Sequence, residues 1–224
     1  REQTAVFNGI GVQYSLNEFR AAWKFGGQPI VARLHDKYHS WDSYGLNTLI
    51  PHTLLQGLLG YAYCCPDMVG GGIIGCFDKG QKMDEELFVR WAQANAFMGM
   101  MQMSVSPWRV LTEANAALVV DALKLHASLG EKCYALAQHA AQTGEPVTRS
   151  MAYVFPGEGF ESVDTQFMLG DDLLAAPVLE RGAKEKTVFL PKGRWQDWKG
   201  HIWEGGRAIT LPVTLADIPH FTRV

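Results

Sequence analysis

The order of strand and helix signals changes near residue 144, and this change limits the possible folds more than any other feature of the sequence. Before it, apolar strand-type runs at 11–19, 29–36, 61–65 and 98–104 alternate with helical patterns. Such alternation is typical of a parallel sheet with crossover helices. Open doubly wound sheets and closed barrels share this pattern, so both architectures fit it at this point.

After residue 144 the strand-type segments are short, and glycines and prolines separate them. This rhythm predicts a small antiparallel β-sandwich. The sequence therefore predicts two domains, an α/β domain over residues 1–143 and an all-β domain over residues 144–224.

Three helical patterns separate the predicted strands of the first domain. The first covers 46–58, and Pro51 inside it is expected to kink or divide the helix. Asp84 is expected to cap the second helix. The third pattern predicts one long helix that Thr112 caps and Gly144 ends.

The composition is that of an ordinary globular protein. Of its 224 residues, 47% are hydrophobic and 19% are charged, so the chain is long enough to bury a core. The net charge is −3 and no basic block occurs, which argues against nucleic acid or an anionic membrane surface as a partner. No apolar segment is long enough to span a bilayer.

The first residues and the cysteines bear on processing and compartment. No signal peptide is recognisable, and the sequence starts with Arg1, from which we expect a processed or truncated product. The four cysteines lack the paired spacing of a metal site, and buried thiols are favoured over a disulfide. This usage favours a reducing compartment such as the cytoplasm.

Polar residues stand at the carboxyl end of each predicted strand. Arg20, Asp36 and Asp67 follow the first three, and Gln102 and Ser104 close the fourth. Barrel enzymes place their chemistry at this end of the strands. Four strand ends with polar groups therefore favour a barrel over an open sheet.

Each of the three charged candidates also has an ordinary structural interpretation. Asp36 could cap the next helix or pair with Lys37 in water, and Asp67 could form a turn after Pro66. Arg20 could pair with Glu18 at the surface instead of holding sugar hydroxyls or a carboxylate with its planar guanidinium.

Two tryptophans and one helical turn also have ordinary structural interpretations. Trp41 and Trp108 are more typical of a core than of a sugar platform. Glu85, Glu86 and Arg90 are predicted to form a solvated first helical turn.

The sequence "HDKYH" calls for a test of metal binding. His35, Asp36 and His39 are too few ligands, and no other histidine or cysteine spacing completes the set. No G-x-S-x-G nucleophile elbow or phosphate-binding loop occurs. We therefore predict no metal and no cofactor, and keep a metal-dependent hydrolase as a remote alternative.

Taken together, these residues resemble glycoside hydrolase family 31, the retaining α-glycosidases, over nearly the whole chain. Arg20, Asp36 and Trp41 are similar to the family's R-S-x-x…G-D-N-x-x-x-W stretch. "CCPDMVGGG" resembles its G-A-D-I-G-G-F, and "EELFVRWAQANAF" its E-L-Y-x-R-W-x-Q-x-x-A-F. "TQFMLGDDLLAAPVLERG" resembles the β-domain that follows the barrel. The order of these matches makes the resemblance specific.

The resemblance implies a fold and a set of roles. The fold is the second half of a (β/α)8 TIM barrel, strands five to eight, followed by a β-sandwich. Asp36 falls at the general acid/base, and Arg20 and Asp67 fall where the family holds the sugar. Gln102, Ser104 and Trp108 complete the predicted substrate-binding set.

Two departures from the family pattern limit what the resemblance implies. Nothing before Arg20 matches the W-x-D-M-N-E-type motif that carries the nucleophilic aspartate. The family's R-x-H is replaced by Gln102-Met103-Ser104. The Asp36-Lys37 pair, "PDMVGG" and "MQxSxxPW" resemble a divergent, α-galactosidase-like branch. We expect an α-glycosidase whose acid/base half lies in this chain, inactive without a missing N-terminal half of the barrel. The alternative is a non-catalytic, carbohydrate-binding pseudo-glycosidase.

Overall fold

A short parallel sheet forms the first part of the molecule. The computed structural model describes residue 6, residues 17–20, residue 27, residues 30–78 and residues 83–224. The sheet has the order β1-β2-β3, and both pairings are parallel, with Glu18 opposite Val31 and Val31 opposite Tyr63. Its strands are β1 (Asn17–Phe19), β2 (Ile30–Arg33) and β3 (Tyr63–Cys65).

The predicted strands are longer than the observed ones. Residues 11–16 and 29 lie outside the described part, and β2 ends at Arg33, so Asp36 stands in the following loop. The prediction of a strand at 98–104 is wrong. This segment pairs with its neighbour through an isolated parallel bridge between Met103 and Val69. The glycine-rich turn after Val69 explains this, since Gly70 and Gly71 have φ of 94° and 92° and take the backbone out of register.

Helices follow the strands and cover the sheet. They are a 3-10 turn (Leu46–Thr48), α1 (Leu49–Leu58), α2 (Glu85–Asn95), α3 (Pro107–Val110), α4 (Glu113–Ser128) and α5 (Gly130–Thr143). Asp84 caps α2 as predicted, because its carboxylate accepts from the Leu87 amide at 3.2 Å. Gly144 ends α5 with φ of 80°, also as predicted.

Pro51 does not kink or divide α1, contrary to the prediction. It lies in the first turn, where backbone amides have no intrahelical partner, so its missing N–H costs no hydrogen bond. The helix therefore runs unbroken to Leu58, and Gly60 follows its end with φ of 88°.

The long helix predicted after Thr112 is also wrong, because the structure divides it into α4 and α5. Leu129 stands between them with ψ near −2°, and Gly130, a poor helix former, begins the second. Thr112 occupies the N-cap position of α4, but its side chain accepts no capping hydrogen bond. Its hydroxyl instead donates to Glu85 Oε2 at 2.8 Å.

The second part is antiparallel, as the sequence predicts. A six-stranded sheet has the order β4-β5-β6-β11-β8-β9, and β7 pairs with β10 separately. The short α6 (Met151–Val154) follows β4. The strands are β4 (Thr148–Arg149), β5 (Phe167–Leu169), β6 (Leu173–Ala175), β7 (Glu185–Leu190), β8 (Arg194–Asp197), β9 (Ile202–Glu204), β10 (Arg207–Pro212) and β11 (His220–Arg223).

One apolar cluster fills the space between these two sheets. Trp195, Phe221 and Val188 are fully buried in it, and β7 and β10 alternate buried and exposed residues as half-buried strands do. Cys64 and Cys65 are buried free thiols in the other part of the molecule.

Arg90 links the helices to the β-domain and corrects the expectation of a solvated first turn. It is 1% exposed, and its guanidinium donates to the carbonyls of Thr214 at 3.0 Å and Asp217 at 3.3 Å. Gln93 donates to the Leu215 carbonyl at 2.7 Å. These bonds pair the two terminal nitrogens of a buried cation with backbone oxygens and hold the segment before β11 against α2.

Candidate active site

The ends of β1 and β2 bring Arg20 and Asp36 into direct contact. Arg20 Nη2 lies 2.8 Å from Asp36 Oδ1, and their side chains are 46% and 29% exposed. Adjacent parallel strands present their carboxyl ends at one edge, so residues 16 positions apart meet there. The sequence predicted this convergence, and solvent reaches both charged groups.

Arg33, the last residue of β2, connects the site, and the sequence analysis missed it as a site residue. Its Nε lies 2.7 Å from Glu18 Oε1, and its Nη1 lies 3.3 Å from Asp36 Oδ1 and 3.4 Å from Asp67 Oδ1. Burial lowers the pKa of Arg33, but the hydrogen bond and charge of Glu18 and the charge of Asp67 outweigh it, so the pKa is raised. Arg33 therefore stays charged and forms ion pairs with three carboxylates.

Asp67 follows β3 and is fully buried. Its Oδ2 accepts from the Lys37 amide at 2.6 Å, a tertiary contact between residues 30 positions apart and not a turn of the local chain. Burial raises the pKa of Asp67, and the charge of Asp36 adds to the rise, despite the amide bonds and Arg33. A buried carboxyl with a raised pKa beside a second carboxyl is typical of functional sites.

A glycine-rich turn packs against the Asp36 carboxyl. The amides of Gly72 and Ile73 donate to the Lys37 carbonyl at 3.0 and 3.3 Å. A Cβ added at Gly72 would lie 2.7 Å from Asp36 Oδ1, so a larger residue would displace that carboxyl. The closeness of the Asp36 carboxyl therefore explains why residue 72 is a glycine.

Two of the remaining predicted residues reach the same edge, and one does not contact it. Gln102 donates from Nε2 to Glu18 Oε2, and the Ser104 hydroxyl donates to the Gly71 carbonyl. Trp108 lies on α3 and is 66% exposed, so the core interpretation is wrong for it. Trp41 is partly buried against the core and donates from Nε1 to Asp84 Oδ2 at 2.9 Å.

Lys37 is buried behind the site, which the sequence analysis also missed. It is 1% exposed, and its Nζ lies 2.9 Å from His52 Nδ1 and 3.5 Å from His35 Nε2. Burial lowers the pKa of Lys37 to about 8. Burial, and then the Lys37 charge, also lower the pKa values of both histidines. The sequence offers no signal for this burial, because charged side chains are exposed by default.

The structure does not arrange His35, Asp36 and His39 as the metal site considered in the sequence analysis. His39 Nδ1 lies 3.0 Å from the Gly70 carbonyl and Nε2 lies 3.1 Å from the Asp84 carbonyl, so both ring nitrogens face the backbone. Among the described residues, no group of three histidine, cysteine or acidic side chains is arranged to hold a metal.

Comparison with known proteins identifies the second part of the chain. The profile of the glycosyl hydrolase family 31 C-terminal domain matches residues 144–224. The chain is 35% identical to the myogenesis-regulating glycosidase of Mus musculus over 218 residues, which cover 93% of this chain and 30% of that protein. Residues 144–224 are thus a C-terminal domain of the glycosyl hydrolase family 31 type. It is also 34% identical to human neutral alpha-glucosidase C over 200 residues, 84% of this chain and 21% of that protein.

Solved family 31 structures agree with this assignment. A family 31 dextranase of Flavobacterium johnsoniae, in complex with isomaltotriose, superimposes with a TM-score of 0.77 at 27% identity, over 87% of this chain and 25% of that one. The chain thus spans less than a third of the length of these relatives. In the described part of the chain, no helix has the length and apolarity needed to cross a bilayer.

Proposed function

We propose that this chain supplies the acid/base half of an α-glycosidase active site. Asp36 is the general acid/base, and Arg20 binds hydroxyls of the sugar on one side of the cleaved bond. The fully buried Asp67 acts in the same subsite through Arg33, which contacts both Asp67 and Asp36. The observation that carries the proposal is the Arg20–Asp36–Arg33–Asp67 chain of ion pairs, which joins the ends of three adjacent strands. The family 31 domain at residues 144–224 supports the choice of reaction.

The chemistry assigns Asp36 one of two carboxyl roles. In a retaining glycosidase the carboxyls stand roughly 5–5.5 Å apart, one attacking the anomeric carbon and one protonating the leaving oxygen. Asp36 gives its proton to that oxygen and later takes one from the attacking water. The nucleophile comes from another segment, so this chain by itself forms no covalent intermediate and hydrolyses no glycoside.

The architecture we propose around this site is the second half of a (β/α)8 barrel. The sheet β1-β2-β3 and the Val69–Met103 bridge give four consecutive parallel neighbours, in chain order. A barrel of eight strands closes only when four more are supplied, so the partner is the N-terminal half of the barrel. In this proposal the barrel part covers residues 1–143 and the β-domain residues 144–224.

The remaining site residues complete the substrate-binding surface. Gln102 and Ser104 flank the bridge residue Met103 at the fourth strand position, beside Glu18 and the glycine-rich turn. Ser104 replaces a histidine of the family pattern with a shorter side chain. The pocket therefore differs from that of relatives with histidine there, and Trp108 adds an exposed aromatic face outside it.

Sugar binding by the chain tests this assignment. Saturation-transfer NMR with 4-nitrophenyl α-D-glucopyranoside and its α-D-galacto epimer is expected to show binding of at least one. Asp67→Asn is expected to weaken that binding about tenfold, which corresponds to about 1.4 kcal/mol. Asp121→Asn, an exposed carboxylate on α4 that is 61% exposed, is the matched control and leaves binding unchanged.

Release of 4-nitrophenol from the same probes tests the division of roles. No turnover is expected for the wild-type chain or for Asp36→Asn, because the covalent step lacks its nucleophile. Turnover by the wild-type chain that Asp36→Asn abolishes would contradict the missing nucleophile. Binding that is equal in wild type and Asp67→Asn would contradict the sugar site.

A further inference from the structure

An exposed phenylalanine stands on the outer face of the β-domain. Phe189 on β7 is 40% exposed, whereas Val188 and Leu190 on either side of it are buried. Successive side chains of a strand point to opposite faces of the sheet. The Phe189 ring therefore projects away from the core that its two neighbours fill, and it offers apolar surface to the solvent.

Two cavities meet at this ring. The larger, of about 430 Å³, lies beside the turn 157–163 and the Leu190 end of β7. The smaller, of about 260 Å³, lies toward the Glu185 end of the same strand, and Phe189 lines both. Six residues of extended chain span roughly 20 Å, so the two cavities and the ring between them form a groove longer than one monosaccharide. This surface is named the β7 groove. Among the described residues, none of those lining it belongs to the candidate active site.

The backbone of Phe189 is held by the side chain of Gln166, which is 0% exposed. Gln166 Nε2 donates to the Phe189 carbonyl at 2.9 Å, and the Phe189 amide donates to Gln166 Oε1 at 2.8 Å. These two bonds occupy the strand edge at this residue, so a peptide cannot add there as a further strand. They also fix the backbone that carries the ring, which lowers the entropic cost of binding a ligand on it.

The charged side chains of the β7 groove balance one another. Three cations and three carboxylates line the two cavities: Lys186, Lys192, Arg207, Glu158, Glu180 and Glu185. Glu158 is oriented by a bond in which its Oε2 accepts from the Lys192 amide at 3.1 Å. The groove thus offers many hydrogen-bonding groups without a net charge, which suits an uncharged ligand rich in hydroxyls. An acidic ligand would meet three carboxylates there.

We propose that the β7 groove binds a neutral oligosaccharide, at a site separate from the catalytic one. The apolar C–H face of one pyranose packs on the Phe189 ring, and the hydroxyls of the units before and after it bond to the polar groups of the two cavities. This inference goes beyond the proposed function and does not depend on the role of Asp36. It assigns the β-domain the task of holding a glycan chain.

NMR titration of the ¹⁵N-labelled chain tests the site and the length of its ligand. The probes are maltoheptaose, isomaltoheptaose and cellohexaose, with methyl α-D-glucopyranoside as the single-unit reference. At least one oligosaccharide is expected to shift the amide resonances of Gly157, Gly159 and Gly206, which line the larger cavity. At these resonances it is expected to bind about tenfold more tightly than the methyl glycoside, because it reaches both cavities.

Substitutions at position 189 test the ring itself. Phe189→Ala is expected to lower oligosaccharide affinity about tenfold, because the stacking face is lost. Phe189→Tyr keeps an aromatic ring and is expected to retain most of the affinity. Tyr134→Ala removes an exposed aromatic side chain, 55% exposed, from α5 and is the matched control that changes nothing. Far-UV circular dichroism of each variant checks that the fold is kept.

The outcomes separate this inference from the proposed function. Shifts confined to Gly71 and Gly72, beside Asp36, overturn the β7 groove as a binding site and leave the sugar site standing. Oligosaccharide affinity that is unchanged in Phe189→Ala, or a lack of binding by all three oligosaccharides, also overturns it. Tighter binding of a heparin hexasaccharide at the same amides overturns the neutral class of ligand. Asp67→Asn is expected to leave binding at the β7 groove unchanged, so the two proposals fail independently.

Discussion

Two buried aspartates show how the strand-end site differs from the β-domain. Asp67 in the site and Asp197 on β8 are 0% and 6% exposed. Burial raises the pKa of both, but at Asp197 the donors Trp203 Nε1 and the amides of His201 and Lys199 outweigh it, so that pKa is lowered. At Asp67 the rise prevails.

The difference lies in how many hydrogen-bond donors each carboxylate receives and where they come from. Asp197 is saturated by donors that its own hairpin supplies, so its charge helps to hold the fold. Asp67 shares one cation, Arg33, with Asp36 and Glu18, so its charge is poorly compensated. The hairpin thus satisfies the Asp197 carboxylate, whereas Asp67 keeps a raised pKa beside a second carboxyl, Asp36.

The largest expected effect lies in the β-domain, where Trp195 is fully buried. It packs against Phe155 with ring centroids 6.0 Å apart, and its Nε1 donates to the Pro191 carbonyl at 2.8 Å. Trp195→Ala is expected to lower the free energy of unfolding by about 3–5 kcal/mol, measured by urea denaturation. Trp108→Ala, at a 66% exposed position, should cost far less. Equal losses would mean that the β-domain core does not dominate stability.

Removal of Arg33 tests whether the site depends on a single cation. Arg33→Met leaves Glu18, Asp36 and the buried Asp67 without their shared partner. The free energy of unfolding at pH 7 is expected to fall by roughly 2–3 kcal/mol, because an uncompensated buried charge remains. Arg207→Met on the exposed surface of β10 is the control. A change in Arg33→Met as small as the control's would show that the carboxylates are solvated without it.

Removal of the buried amine is expected to have the opposite sign. Burial lowers the pKa of Lys37 from 10.5 to about 8, so between these values the unfolded chain binds more protons than the folded one. Stability of the wild type therefore rises with pH through this window, and below pH 8 Lys37 destabilises the fold. Lys37→Met should raise the free energy of unfolding at pH 7 by about 1–2 kcal/mol, with allowance for the lost His52 bond.

Denaturation at several pH values checks the sign. The gain from Lys37→Met should shrink as the pH rises from about 8 through 10.5, because the wild-type amine becomes neutral in both states above that range. Lys124→Met, at a side chain that is 74% exposed, should show no such gain or pH dependence. A Lys37→Met protein that is less stable than wild type at pH 7 would mean that the His35–Lys37–His52 contacts stabilise the site.

The sequence predicted the parts of the molecule that depend on local chemistry. Asp84 caps α2 and Gly144 ends α5 because each works through its own backbone neighbours. The convergence of Arg20, Asp36 and Asp67 was also predictable, because parallel strands place their carboxyl ends at one edge.

What the sequence could not predict depends on neighbours distant along the chain. Arg33 was missed because its site role comes from Glu18 and Asp67, 15 and 34 positions away. The sequence predicts a solvated Arg90 wrongly, because its carbonyl partners lie more than 120 residues further along the chain. Charged side chains are exposed by default, so only tertiary contacts reveal the buried ones.

The break between α4 and α5 gives the smallest and most local test of this distinction. The region around Gly130 is open, with nothing within 4 Å of an added Cβ, and its φ lies outside the left-handed region. Gly130→Ala should therefore raise the free energy of unfolding by about 0.5–1 kcal/mol, through better helix propensity and a less flexible unfolded chain. Gly144→Ala, at φ of 80°, should lower it. Thermal unfolding compares the two, and a loss in Gly130→Ala would mean that the fold needs the break after Leu129.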